Sequence, residues 1–211
     1  MTDDRLRGRD LRRLAAGADE RSAELAAELA TAAADRGLLD VAVGSVDSPL
    51  GTLRVAITPR GLLALEYPNG DEDRWLARIA LAVSPRILEP QARTDEVRRQ
   101  LDDYFEGTRT RFELRLDRRL IVGFQDATLR ATQRVRYGHT TTYGELARLI
   151  GSPRAARAIG NALGANPLPI VIPCHRVLRS GGELGGYGGG LPRKQLLLEL
   201  DGVLPSGVRP R

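Results

Sequence analysis

The hydrophobic periodicity changes once along the 211 residues, and that change limits the fold more than any other feature. Up to about residue 117, short apolar runs sit between Gly- and Pro-containing turns; from Phe124 onward apolar residues recur at helical spacing. Val41 and Val43 are in phase with Leu39 in the run 39–46, and Ser48-Pro49-Leu50-Gly51 then punctuates. Two further runs, 52–58 and 62–67, flank Pro59-Arg60-Gly61, so the three read as an antiparallel meander. A helix is expected over 73–83, with Trp75, Leu76, Ile79 and Val83 near one face. Thr94 suits an N-cap for a helix carrying Val97, Leu101, Tyr104 and Phe105, stopped by Gly107, and 111–116 alternates like another strand. The proline-free, Ala- and Leu-rich stretch 3–38 reads as two helices broken at Gly17. The expected fold class is α+β: a helical extension over 1–40, a small domain over 41–120 with a short antiparallel sheet and helices, and a mostly helical domain over 121–211.

Composition removes several alternatives. One cysteine permits neither an intrachain disulfide nor a zinc site of several cysteines, and with only His139 and His175 no metal or other cofactor is expected. No apolar run approaches the ~18 residues of a membrane span, so no membrane partner is expected. The first residues lack the apolar core of a signal peptide, and the expected location is the cytoplasm, where a lone thiol stays reduced. The whole chain carries +5, yet 124–211 alone holds twelve basic and five acidic residues. A surplus there fits a phosphate-bearing partner. Of the 32 basic residues, Lys194 is the one lysine.

The chemistry-bearing motifs fall in that basic part. Thr142-Tyr143-Gly144-Glu145 is a capping box in front of Leu146, Leu149 and Ile150, closed by Gly151. Ser152 suits the cap of a second helix, with Pro153 at its first position and Gly164 at its end. Two short helices so joined form a helix-turn-helix; an ordinary hairpin with a small-residue seam reads the same way. Arg154 and Arg157 place charge on the second helix among small residues that allow close approach to a surface. Next, Pro167, Pro169 and Pro173 fence Ile170–Ile172 and hold Cys174 beside His175. A base near a thiol yields thiolate, the reactive form, although free cysteines are often buried and inert. Neighbouring strand side chains point apart, so contact between this pair requires a turn or a helix. The glycine-rich loop 180–190 matches neither the dinucleotide nor the phosphate-loop spacing; it suits tight turns and a wall beside a flat ligand, or a mobile hairpin tip.

Tyr143 in TTYGELA, then SPRAARAIGNALGANP, IPCHRV, GGYGGG and KQLLLELDG stand in one order at tight spacing. Together they resemble the O(6)-alkylguanine-DNA alkyltransferases, strongly over about 120–203 and more loosely over 45–116. The resemblance implies direct-reversal repair in which an alkyl group leaves the 6-oxygen of a guanine flipped from duplex DNA and ends irreversibly on Cys174, in one turnover of a monomeric protein. His175 would be the base acting through water, and Asp201, where the family usually has glutamate, would orient it. Tyr143 would donate to the leaving guanine, and Asn166 would brace the turn before the cysteine. Arg157 would fill the gap left in the base stack. Arg154, Ala155, Ala156 and Gly160 would meet the minor groove. Tyr187, Gly188, Gly189 and Val177 would line the base pocket.

Asp201 is one methylene shorter than glutamate, and Glu199, ~200° further round a helix, would face away. Leu129 stands where many members carry tryptophan, which reads as a core change. Two other readings stay open: a lesion sensor or DNA-binding regulator without transfer, and a cysteine hydrolase built on Cys174 and His175.

Overall fold

The computed structural model describes residues 40–68, 71–88 and 93–204, with isolated positions between 21 and 37. The described positions from 21 to 33 are helical and Arg36 and Gly37 stand in a turn; residues 1–20, with Gly17, and Leu39 lie outside the described residues. Strands β1 (Val41–Val46), β2 (Leu53–Thr58) and β3 (Gly61–Glu66) form the meander, β1 to β2 and β2 to β3 antiparallel. Helix α1 (Glu72–Ala82) follows, capped by the Asp71 carboxylate on the Arg74 N–H at 3.1 Å. A two-residue strand, β4 (Ile87–Leu88), then pairs parallel to β1 and makes the order β3-β2-β1-β4. It is too short to carry a period of its own, so the sequence gives no sign of it.

Both faces of this sheet are covered. Trp75 and Ile79 of α1 pack on Val41, Ala56, Leu63 and Ala64. Helix α2 (Asp95–Phe105) brings Val97, Leu101 and Tyr104 to Leu53, Val55, Leu62 and Leu65 on the other face. The central strands therefore read as nearly unbroken apolar runs. A bulge between Ala56 and Ile57 shifts the β2–β3 register.

The strand expected over 111–116 does not form a ladder. Only Leu116 bridges Leu62, through Leu62 N–H to the Arg115 carbonyl at 2.8 Å and Asp117 N–H to the Leu62 carbonyl at 2.9 Å. Gly61 (φ +130) makes that approach possible, since a Cβ there would lie 2.1 Å from the Arg115 oxygen. Before it, the Glu113 N–H is satisfied by the Gln100 side chain at 2.8 Å in place of a strand partner.

Helices α3 (Gly123–Thr132), α4 (Tyr143–Leu149) and α5 (Ala156–Gly164) pack on one another, and α6 (Leu191–Leu200) closes the chain. Leu129 is fully buried in the core. The capping box is complete: Thr142 Oγ1 accepts from Glu145 N–H at 3.1 Å, and Glu145 Oε2 accepts from Thr142 N–H at 2.7 Å. The second helix starts later than expected. Ser152 N–H turns back to the Ala147 carbonyl and Ala155 N–H to the Ser152 carbonyl, both at 2.8 Å, so Pro153 sits in a turn and Ala155 precedes the helix. Leu146, Ile159, Leu168, Ile172 and Leu197 share one core with the sheet residues Leu53 and Leu65. Among the described residues no helix is long and apolar enough to cross a membrane.

Candidate active site

The proline-fenced segment runs through the middle of this core. Leu65 N–H on edge strand β3 donates to the Pro167 carbonyl at 2.8 Å, tying the sheet to the approach to Cys174. Asn166 holds the segment from the other side. Its Nδ2 donates to the Ile172 carbonyl at 3.0 Å and lies 3.2 Å from Cys174 Sγ, while its Oδ1 accepts from Leu168 N–H at 3.0 Å. Ile170 adopts φ +71, a region that a β-branched residue enters only under constraint. Cys174–Arg176 then form a single 3₁₀ turn, the turn that the Cys-His pair requires, and strand β6 (Val177–Leu178) pairs parallel to β5 (Thr141–Thr142).

His175 is fully buried, and its Nε2 lies 3.1 Å from Asp201 Oδ2. An ionised carboxylate only accepts hydrogen bonds, so Nε2 carries the proton and Nδ1 keeps its lone pair. Nδ1 is buried with no hydrogen-bond partner among the described residues. Burial pushes the His175 pKa below its usual 6.5, against the pull of Asp201, and the ring is neutral at pH 7. Burial pushes the Cys174 thiol up, opposed by the Asn166 contact and the charge of Lys194. The resting pair is therefore a thiol and a neutral imidazole.

Asp201 follows α6 and reaches the imidazole without an extra methylene. It also accepts from Arg176 Nε at 2.6 Å, Arg176 Nη2 at 3.3 Å and Tyr104 Oη at 2.8 Å. Burial acts to raise its pKa, but the His175 and Arg176 hydrogen bonds hold it below the ordinary carboxylate value. Tyr104, read from sequence as core alone, and Arg176, inside the motif but given no task, are thus part of the site.

Two cavities meet at Cys174. One, of about 330 Å³, is lined by Tyr143, Gly160, Leu163, Cys174, Tyr187 and Gly188. The other, of about 220 Å³, brings Tyr67 and Arg78 to Asn166, Pro169, Cys174 and Gly189. Tyr187 stands between them, its Oη 2.9 Å from Tyr67 Oη. Gly189 admits the Tyr67 ring, because a Cβ there would lie 2.5 Å from its Cε2. Tyr143 Oη donates to the Gly186 carbonyl at 3.4 Å. Lys194 is fully buried, and its Nζ donates to the carbonyls of Val177 (2.6 Å), Gly186 (3.3 Å) and Leu184, so the glycine loop is anchored. Three tetrahedral donors suit three carbonyls where a planar guanidinium would not, which is the signal its rarity in the sequence carried.

The structure thus gathers Cys174, His175, Asp201, Asn166, Tyr143, Tyr187 and Gly188 at one place. It does not bring Val177 to either cavity: that side chain is fully buried within β6. Arg154, Ala156 and Arg157 are exposed at the start of α5, Ala155 is partly covered, and Gly160 lines the cavity beside Tyr143.

Sequence comparison supplies the context. The family profile described as "6-O-methylguanine DNA methyltransferase, DNA binding domain" matches residues 123–203, and the one described as "6-O-methylguanine DNA methyltransferase, ribonuclease-like domain" matches residues 41–118. A methylated-DNA–protein-cysteine methyltransferase of Mycolicibacterium paratuberculosis is 43% identical over 157 residues, covering 74% of this chain and 90% of the relative. One from Methanosarcina acetivorans is 36% identical over 156 residues, covering 74% and 95%. The crystal structure of Mycobacterium tuberculosis OGT in complex with DNA superposes with a TM-score of 0.66 at 35% identity, covering 80% of this chain and 96% of that one.

Proposed function

Since this chain belongs to the 6-O-methylguanine DNA methyltransferase family, we propose that it repairs alkylated DNA by direct reversal, with Cys174 as the alkyl acceptor. Duplex DNA containing O(6)-alkylguanine is the substrate. A methyl group on the 6-oxygen lies inside the stack, so the nucleotide is flipped out into the cavity beside Tyr143, Gly160 and Tyr187. Arg157 enters the stack, Arg154 meets phosphate, and the small residues Ala155, Ala156 and Gly160 allow the minor groove to approach.

The observation that carries this reading is the His175–Asp201 hydrogen bond, which leaves Nδ1 as the lone-pair nitrogen on the residue that follows the buried Cys174. The Cys174 proton passes through water to His175 Nδ1. Sγ attacks the alkyl carbon; the S–C bond forms as the C–O6 bond breaks, and the guanine leaving group takes its proton from Tyr143 Oη. Asn166 holds Sγ on line. The thioether has no route back, so each chain acts once, as a monomer in the cytoplasm, and no cofactor enters the balance. Residues 121–211 form the domain that binds DNA and carries the acceptor, and 41–120 the supporting domain.

The test is a titration of the protein into a fixed amount of methylguanine duplex. One lesion is repaired per chain, with no further turnover. More than one repair per chain overturns the acceptor reading, and tight binding without repair favours a lesion sensor.

A further inference from the structure

A third cavity, of about 630 Å³, lies behind the Cys174 segment. It opens between residues 110–112 and 133–137, with Ile170, Val171 and Pro173 on its floor. Four of its lining residues are Arg111, Arg134, Arg136 and Arg176, and none is a carboxylate. Elsewhere nearby, Arg109, Arg118 and Arg130 are each paired with an aspartate. Arg111, Arg134 and Arg136 are exposed and make no ion pair among the described residues; Arg176 is bound to Asp201. Like charges collected in a concavity focus a positive potential. Guanidinium groups in such a place match phosphate oxygens, often two at a time. The cavity is larger than one phosphate needs and has room for linked phosphates.

We propose that this arginine-lined cavity is a second anion site, which binds linked phosphate groups of a nucleotide or of a nucleic-acid strand. It stands apart from the lesion site, since it shares no lining residue with either cavity at Cys174. Pro169 and Cys174 face one side of the segment, while Ile170, Val171 and Pro173 face the other. Arg176 belongs to both sides: it lines the anion site and donates to the Asp201 carboxylate that accepts from His175. Binding in the cavity is therefore felt at the histidine, and the coupling is reciprocal. None of this depends on the alkyl-transfer reading.

Calorimetric titration of the full chain at low salt with sodium tripolyphosphate tests the site. One tripolyphosphate binds per chain. An Arg134→Gln/Arg136→Gln double variant, altered only at exposed side chains, weakens it at least about tenfold, and Arg157→Gln on the lesion face does not. Competition identifies the source: displacement by ATP alone assigns a free nucleotide, and displacement by a single-stranded thymidine oligonucleotide assigns a strand backbone. Absence of saturable tripolyphosphate binding, or equal affinity in parent and double variant with unchanged melting temperature, overturns the proposal.

Discussion

Replacing Asp201 with asparagine keeps the shape of the side chain and removes its charge. In the parent Asp201 is 1% exposed and its carboxylate accepts from Tyr104, His175 and two of the three Arg176 guanidinium nitrogens. The amide leaves the Arg176 guanidinium buried without its counter-charge, and its NH2 group points donors at donors. Breaking a buried pair from one side costs about 3–5 kcal/mol. At about 2–4 °C per kcal/mol for a chain of this size, the melting temperature falls by about 10 °C. The sign with pH follows from a folded-state pKa below the unfolded value. The carboxylate's contribution is fully present above the unfolded pKa near 4 and is lost only as pH falls through the folded value. The deficit of Asp201→Asn is therefore the same at pH 7 and pH 8. Alkyl transfer also slows, by at least about 10²-fold, because the amide no longer fixes the histidine tautomer; the equivalent change in a hydrolase triad costs ~10⁴. Thermal melts at both pH values and single-turnover transfer measure the two effects. A melting temperature within about 2 °C of the parent, with an unchanged transfer rate, refutes the reasoning.

Other perturbations probe separate parts of the site. Asn166→Ala orphans the Leu168 N–H, leaves the Ile172 carbonyl with the Cys174 N–H as its donor and frees Sγ, costing about 1–3 kcal/mol; denaturant melts report the loss, and transfer slows while duplex binding persists. Lys194→Met takes away the donor shared by three carbonyls and leaves Gly186 with Tyr143 Oη alone, so amide exchange at residues 184–187 speeds up and transfer falls, and Lys194→Arg does not restore it. Because burial depresses the His175 pKa, the transfer rate stays level as pH falls from 8 to the usual histidine value near 6.5 and declines only below it; a decline centred above pH 7 contradicts the buried neutral ring. Gly189→Ala drives a methyl group into the Tyr67 ring, breaks the Tyr67–Tyr187 hydrogen bond and lowers the transfer rate, read against an unchanged affinity for undamaged duplex.

The long elements were legible because each had an internal period: the meander, α2 and the capping box of α4 all stand where their spacing put them. The parts that were not legible depend on distant partners. Strands β4 and β6 are two residues long and exist only through β1 and β5. The 111–116 segment has the right alternation but meets only the tip of β3. Ser152 and Pro153 carry cap and first-turn chemistry, yet Gly151 sends the chain into a turn and the helix waits until Ala156. Within the site, Cys174 and His175 could be found from local sequence, and Asn166 only through the family resemblance. Tyr104, 97 positions before Asp201, could not, since nothing local separates a core tyrosine from one that donates to a buried carboxylate. The question left by the short side chain of Asp201 is answered by distance: 3.1 Å to the imidazole needs no glutamate.

The acceptor claim is tested most directly by following a labelled methyl group. Excess protein is mixed with a duplex whose single O(6)-methylguanine carries the label, and the digested protein is read by peptide mass. The account predicts the label on the peptide containing Cys174, at no more than one per chain, and none in a Cys174→Ala variant that still binds the duplex. Label retained by the DNA while the protein stays bound, or found on any other residue, contradicts it.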